Sequence, residues 1–280
     1  MPITESDLAS YAVNGYAVVK SLFDATEVDA LKSHYMLLRS QGTYPGDFDG
    51  VDLLSTDPLK RFPRMIHMHR WDKTSRDWLL DTRIRDLLSV LGGKEPYAVQ
   101  TMLYFKPAGA RGQALHQDQY YLRVQPGSCT AVWLALDTCD EENGCMQVVP
   151  GSHTLPVLCT EKADTTLSFT DVTVPIPPSM KAVPILMDAG DVLLFDGQLI
   201  HGSFPNTSKE RFRRALIGHY ISGDAKKVGG YYHPVLRFDG TEVKIDQNAG
   251  GGSCGVWVAS ELGPVVEMMS ADNDTISRHE

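Results

Sequence analysis

Two histidines and a carboxylate stand where they could share one metal ion. In Leu115-His116-Gln117-Asp118 a strand-like run puts residues i and i+2 on one face, so His116 and Asp118 can reach a common ion. Nine histidines in a chain with 35 acidic residues among 280 would give roughly one His-x-Asp/Glu by chance (9 × 35/280), so this pair alone decides nothing. The stretch Asp188-Ala-Gly-Asp191-Val-Leu-Leu-Phe-Asp196-Gly-Gln-Leu-Ile-His201-Gly-Ser203 adds a turn, an apolar strand and a histidine at a strand-like end. Two histidines and one carboxylate form the facial triad of non-haem Fe(II) oxygenases, which leaves adjacent positions for a bidentate co-substrate and O2. A zinc hydrolase needs no such vacancies. Arg211-Phe-Arg213-Arg214-Ala follows His201 and runs into an apolar strand. A guanidinium near the metal suits a dicarboxylate co-substrate, gripping one carboxylate bidentately while the other end chelates the ion. Taken singly, each of these arginines reads rather as a solvated surface charge.

These residues need a frame, and the chain supplies it in two stretches. Thr4 with Asp7 has the form of a capping box, and Asp24 precedes an amphipathic run with Val28, Leu31, Tyr35 and Leu38 at helical spacing up to Gly42. Tyr16-Ala-Val-Val19 reads as a short strand between them. A further helical pattern covers 71–91, with Trp78, Leu79, Ile84, Leu87, Leu88 and Leu91 on one side and Gly92-Gly93 as terminator. Beyond Gly93 come short β-rich runs broken by turn residues, at 97–105, 114–124, 130–136, 145–149, 172–174, 183–187, 191–195, 215–221 and 256–259. This order predicts a mainly β protein, a barrel or jelly roll with flanking helices. The expected organisation is one domain over 1–280: a helical N-terminal region over 1–93 packed on a β core of about 94–260, with a flexible tail over 270–280. The punctuated stretches 42–64, 223–232 and 249–255 are candidate lids.

Composition narrows the partners. With 26 Lys+Arg against 35 Asp+Glu the formal net charge is −9, and no dense basic run is present, which argues against nucleic acid. No stretch reaches the roughly 18 apolar residues of a membrane span, and residues 1–5 lack a basic n-region and an apolar h-region; a cytoplasmic protein is expected. Cys129, Cys139, Cys145, Cys159 and Cys254 are odd in number and include no C-x-x-C pair, so they are expected to be free thiols.

Four ordered motifs then carry a resemblance. Gln113-Ala-Leu-His116-Gln-Asp118, Trp133-Leu-Ala-Leu-Asp137, Glu142-Asn-Gly-Cys-Met-Gln-Val-Val-Pro-Gly-Ser-His153 and His201-Gly-Ser-Phe-Pro-Asn206 followed by Arg213-Arg-Ala together resemble the phytanoyl-CoA dioxygenase family over about 97–221. The resemblance implies a double-stranded β-helix, cupin-like core and a dioxygenase using Fe(II), 2-oxoglutarate and O2. Such an enzyme releases succinate and CO2 while hydroxylating an unactivated C–H bond of a small organic substrate. It implies His116, Asp118 and His201 as iron ligands and Arg213 as the clamp on the distal carboxylate of 2-oxoglutarate, with Ser203 as a second donor to it. Trp133 falls on the strand lining the co-substrate pocket, where it reads equally as a core aromatic. Arg211 and Arg214 do not align and are expected at the surface. In related halogenases a small residue replaces the carboxylate ligand, so the intact Asp118 implies hydroxylation rather than chlorination.

Other residues are placed around that centre by alternation. Gln100 and Tyr104 point inward with Met102. Tyr120 shares parity with the ligands and is placed with Gln113 and His67 on the substrate side, whereas Tyr121 and Arg123 face away. His67 and His69 are spaced like ligands but lack a third partner. His153 reads as structural and His219 as a core histidine beside Ile217. Two rival functions remain: a cupin-type metal enzyme that does not use 2-oxoglutarate, which would have no reason for a carboxylate clamp at Arg213, and a non-catalytic binding protein retaining the fold, which would be expected to have lost a ligand.

Overall fold

The computed structural model describes residues 3–47, 50–250, 252–261 and 263–269; the tail 270–280 lies outside the described residues. Helix α1 (Glu5–Asn14) opens on the reciprocal Thr4/Asp7 capping box, and Gly15 closes it in the left-handed conformation that an L side chain resists. Strand β1 (Tyr16–Val19) follows, then α2 (Ala25–Ser40), opened by a second box between Asp24 and Glu27 and burying Val28, Leu31 and Tyr35. After α3 (Pro58–Arg61) and β2 (Met65–Ile66), the helical pattern expected over 71–91 divides into α4 (Lys73–Leu79) and α5 (Thr82–Gly92). The break has a local cause. Asp81 sits in extended backbone and its carboxylate accepts from the Arg83 N–H, which starts a new helix. Trp78, Leu79, Ile84, Leu87 and Leu88 are nevertheless all buried.

The β region comprises β3 (Tyr97–Tyr104), β4 (Gln113–His116), then, after a helical turn α6 (Gln119–Leu122), β5 (Cys129–Ala135), β6 (Met146–Val148), β7 (Glu161–Lys162), β8 (Val172–Thr173), β9 (Val183–Ile185), β10 (Val192–Asp196), β11 (His201–Ser203) and β12 (Ala215–Ile221). Short pieces β13 (Lys227–Gly229), β14 (Val235–Leu236), β15 (Glu242–Val243), β16 (Asp246–Asn248), β17 (Cys254–Val258) and β18 (Val265–Met269) complete it. The expected strand over 114–124 is thus a four-residue strand and a helical turn. The turn buries Leu122 among Val99, Val124 and Val228, and that packing overrides the strand propensity of Tyr120-Tyr121.

Two sheets face each other. The larger has the order β1-β10-β5-β12-β3-β14-β15 with β2 alongside β3, and the smaller β4-β11-β6-β9. Alternation divides the large sheet cleanly: Val132, Leu134, Val192, Leu194 and Leu216 pack against the helices, while Ala131, Trp133, Leu193, Phe195 and Ile217 fill the space between sheets with Met146, Val148 and Ile185. This is the expected mainly β, double-stranded β-helix core with helices on its outer face.

One expectation about the cysteines is wrong. Cys159 and Cys254 form a disulfide, and only Cys129, Cys139 and Cys145 are free, all buried. The pairing spans 95 residues and has no local spacing signal. It follows from main-chain pairing of the two segments, in which Cys159 N–H donates to Gly255 O at 2.9 Å and Gly255 N–H to Val157 O at 2.8 Å.

Candidate metal and co-substrate site

Register brings the two histidines together. In the small sheet β11 runs antiparallel to β4 with His201 directly opposite His116, and the ring centroids lie 4.2 Å apart. Each ring is fixed from behind. His116 Nδ1 stands 2.9 Å from Ala114 O and His201 Nδ1 2.9 Å from Leu199 O; a carbonyl only accepts, so both Nδ1 carry the proton and both Nε2 keep a lone pair. Asp118 reaches the pair from helical backbone at the entry to α6, not from the strand whose alternation was expected to deliver it. Its Oδ1 lies 3.6 Å from His116 Nε2 and 3.7 Å from His201 Nε2. The three donor atoms fall within 4.8 Å of one another, as a facial metal site requires.

Surrounding residues hold this geometry. Gln117, between the two ligand candidates, points the other way: its Oε1 accepts from Leu158 N–H at 2.8 Å, and its Nε2 donates to Gln198 O at 2.8 Å and Pro156 O at 3.2 Å. His219 is more than a core histidine, because its Nε2 donates to Asp118 Oδ2 at 3.0 Å. Burial alone would raise the Asp118 pKa, but His201 and His219 outweigh it and hold the carboxyl below its usual range. His116 is lowered to about 4, by burial first and then by His201, which keeps the ring neutral and able to ligate.

A cavity of about 410 Å3 opens over the three donors. At one side of it lies Arg213, fully buried, its guanidinium carbon 5.2 Å from the Trp133 ring centroid. Arg213 Nε donates to Gly144 O at 3.0 Å, while Nη1 has no hydrogen-bond partner and no carboxylate pairs with the side chain among the described residues. A buried cation with an unused N–H, in a cavity that also holds three donors able to bind a metal ion, fits a carboxylate ligand.

The cavity also takes in Gln100, Tyr104, Gln113 and Ser203 as expected from the sequence, and Gln113 donates its amide N–H toward His116 Nε2 at 3.1 Å. Two expectations fail. Tyr120 does not line the cavity and Tyr121 does, because the chain leaves strand geometry at His116 and parity counting no longer holds. His67 is not among the lining residues either; it is buried behind Tyr231, whose ring centroid lies 4.6 Å away, and burial followed by Arg70 lowers its pKa to about 2. The neighbours of Arg213 also separate: Arg211 is at the surface with Asp140 and Glu142, whereas Arg214 is largely buried in a bidentate pair with Asp137.

Several contributors were missed. Arg64 and Tyr231 line the cavity from two of the candidate lid stretches, and Arg64 donates to Tyr104 OH at 3.1 Å. Lys106 is buried behind Ser203, and continuing the parity of Gln100, Met102 and Tyr104 by one step would have found it. No comparable signal marks Gly144.

The chain is similar to known proteins. The match to the phytanoyl-CoA dioxygenase family covers residues 11–215. Phytanoyl-CoA dioxygenase 1 of Oryza sativa subsp. japonica is 34% identical over 155 residues, 55% of this chain and 55% of that protein, so the chain spans about half the length of that relative. The non-heme alpha-ketoglutarate-dependent carbocyclase SnoK from nogalamycin biosynthesis has a similar fold, with TM-score 0.62 over 80% of this chain and 86% of that one at 21% identity. EvdO2 from Micromonospora carbonacea var. aurantiaca, solved in complex with 2-oxoglutarate, superposes with TM-score 0.61 over 79% of this chain and 91% of that one at 22% identity. With most of its length matched, its helices laid on a double-stranded β-helix and its four motifs in order, the chain belongs to the phytanoyl-CoA dioxygenase family.

Proposed function

We propose that this chain is an Fe(II)- and 2-oxoglutarate-dependent dioxygenase that hydroxylates an unactivated C–H bond of a small organic molecule, acting as one domain. The observation that carries this reading is the pairing, in one cavity, of the His116, Asp118 and His201 donor cluster with the buried Arg213 that no carboxylate neutralises among the described residues. Together iron and 2-oxoglutarate would supply the electrons that split O2, with succinate and CO2 as the co-product pair. The protein's contribution is placement. His116 and His201 present fixed Nε2 lone pairs, Asp118 supplies the negative charge, and Arg213, packed over Trp133, would hold the distal carboxylate together with Ser203. Ile66, Met102, Leu122, Phe195 and Ile217 give the walls an apolar lining that keeps water from the reacting centre.

The same cavity is also lined by Arg64, Tyr121, Thr170, Tyr231 and Tyr232, which are left for the substrate. Aromatic faces with hydroxyl groups suit a small polar or natural-product substrate with ring or hydroxyl character, and the space of about 410 Å3 matches a small-molecule site. The nogalamycin-related carbocyclase of similar fold supports that class. A cupin-type enzyme without 2-oxoglutarate leaves the buried Arg213 unexplained. Replacing His116 or Asp118 by Ala should abolish succinate formation and iron retention together; turnover retained in both variants would overturn the assignment.

A further inference from the structure

Lys106 follows β3 and is 2% exposed, in left-handed backbone at φ +36° that a lysine adopts only under constraint from its surroundings. Its Nζ faces three oxygens: Ser203 Oγ at 2.7 Å, Gly144 O at 3.3 Å and Phe204 O. No carboxylate pairs with it among the described residues. Arg213 donates to the same Gly144 carbonyl, so two buried basic side chains converge on one oxygen with no carboxylate beside them among the described residues. Burial first, and then Arg213, push the Lys106 pKa well below its ordinary value, with the Cys145 and Cys139 thiols opposing weakly. Such a pair is costly until an anion arrives beside it.

The hydrogens around Ser203 can be counted. In its protonated form, which an anion beside Arg213 favours, Lys106 has three donors and no acceptor, so Ser203 Oγ then accepts from Lys106; it also accepts from the Gln113 N–H at 3.3 Å. A hydroxyl has two lone pairs and one hydrogen. With both lone pairs committed, the remaining O–H of Ser203 is available to the cavity that Ser203 and Arg213 share. If Lys106 were neutral or absent, only the Gln113 N–H would hold the hydroxyl in that sense.

We propose that Lys106 is a positioning residue for the co-substrate: it locks Ser203 as a hydrogen-bond donor into the cavity and adds, behind Arg213, a second positive charge for the distal carboxylate of a 2-oxo dicarboxylic acid. The inference rests on the reading of this cavity as the 2-oxoglutarate site. Lys106 thereby contributes to selecting a dicarboxylate over a 2-oxo acid that lacks the distal group. It does so without lining the cavity itself.

The test titrates 2-oxoglutarate, and separately pyruvate, into the anaerobic Fe(II) protein and reads the visible charge-transfer band of the chelate. Lys106→Met should weaken 2-oxoglutarate binding by about 10-fold or more, while pyruvate, which chelates through the same end but has no distal carboxylate, changes by less than about 2-fold. Ser203→Ala should weaken 2-oxoglutarate likewise, and the double variant should be no weaker than the worse single one, because one residue acts through the other. Lys106→Arg, which keeps the charge, covers the case in which the methionine variant does not fold, and should fall between wild type and Ser203→Ala. Unchanged 2-oxoglutarate affinity in the folded Lys106 variants, equal losses for both acids, or losses that multiply in the double variant would overturn the proposal. A wild-type protein that binds Fe(II) but gives no band with 2-oxoglutarate would instead remove the reading on which it rests.

Discussion

His219 Nε2 donates to Asp118 Oδ2 across 3.0 Å, tying the centre of β12 in the large sheet to the one carboxylate of the donor cluster. The bond uses one carboxylate oxygen and leaves Oδ1 turned toward His116 and His201. Residues behind a metal ligand typically matter at about 10–100-fold in metal affinity. His219→Leu should therefore weaken Fe(II) binding by that order, with His219→Gln, which keeps a donor, intermediate. Titration with Fe(II) or Co(II) under anaerobic conditions checks this; equal affinities for wild type and His219→Leu would make the contact incidental.

Gly112 lies against the strand that carries Ser203, and a Cβ there would collide with the Ser203 carbonyl oxygen and crowd the Phe204 carbonyl carbon at 2.9 Å. Backbone on both sides cannot move aside without separating β4 from β11. Gly112→Ala should cost about 1–3 kcal/mol by overpacking and should weaken 2-oxoglutarate binding as Ser203 shifts. Gly92, at the end of α5, has open space at the same position and an ordinary backbone φ. Gly92→Ala should leave stability unchanged or raise it by about 0.4–1 kcal/mol. Urea unfolding of the two variants decides between these expectations.

The Cys159–Cys254 bond closes a 95-residue separation, which places it among the longer loops a disulfide can constrain. Cys254→Ser should destabilise the protein by about 2–4 kcal/mol relative to the oxidised wild type. The three remaining thiols behave differently. Burial raises the Cys145 pKa to about 11, the Cys139 pKa to about 12 and that of Cys129 well above the ordinary value. In native oxidised protein none of the three should react with Ellman's reagent within minutes, and all three should react after denaturation.

His69 is 2% exposed, with Nδ1 2.9 Å from Thr101 Oγ1 and Nε2 without a partner. Burial, then Arg70 and Arg76, lower its pKa from 6.5 to about 3. Between those two values the unfolded chain carries the proton and the folded chain does not, so stability is fully present above about pH 6.5 and falls as the pH drops toward 3. One proton contributes a slope of at most about 1.4 kcal/mol per pH unit. His69→Gln should remove that increment, giving a shallower acid decline in urea midpoints between pH 6 and pH 4. Parallel declines in the two proteins would contradict it.

How far the sequence could be read depended on which forces were local. The capping boxes at Thr4 and Asp24, the strands 97–105 and 215–221 and the grouping of His116, Asp118 and His201 were legible because capping, alternation and the four ordered motifs each act over a few residues or a familiar spacing. Tyr120 went wrong at the point where Leu122, drawn into a cluster with Val99 and Val228, turned a strand into a helical turn. The disulfide, the His219 contact and the clasp of Gln117 on residues 156–158 and 198 all join segments far apart in sequence, and only the tertiary fold brings them together.

The most direct measurement adds Fe(II) and then 2-oxoglutarate to the anaerobic protein and records the visible spectrum. A metal-to-ligand charge-transfer band is expected in the wild type, absent in His201→Ala and shifted to higher 2-oxoglutarate concentrations in Arg213→Ala. Iron bound by the wild type with no band at saturating 2-oxoglutarate would contradict the assignment and favour a cupin-type enzyme that does not use this co-substrate.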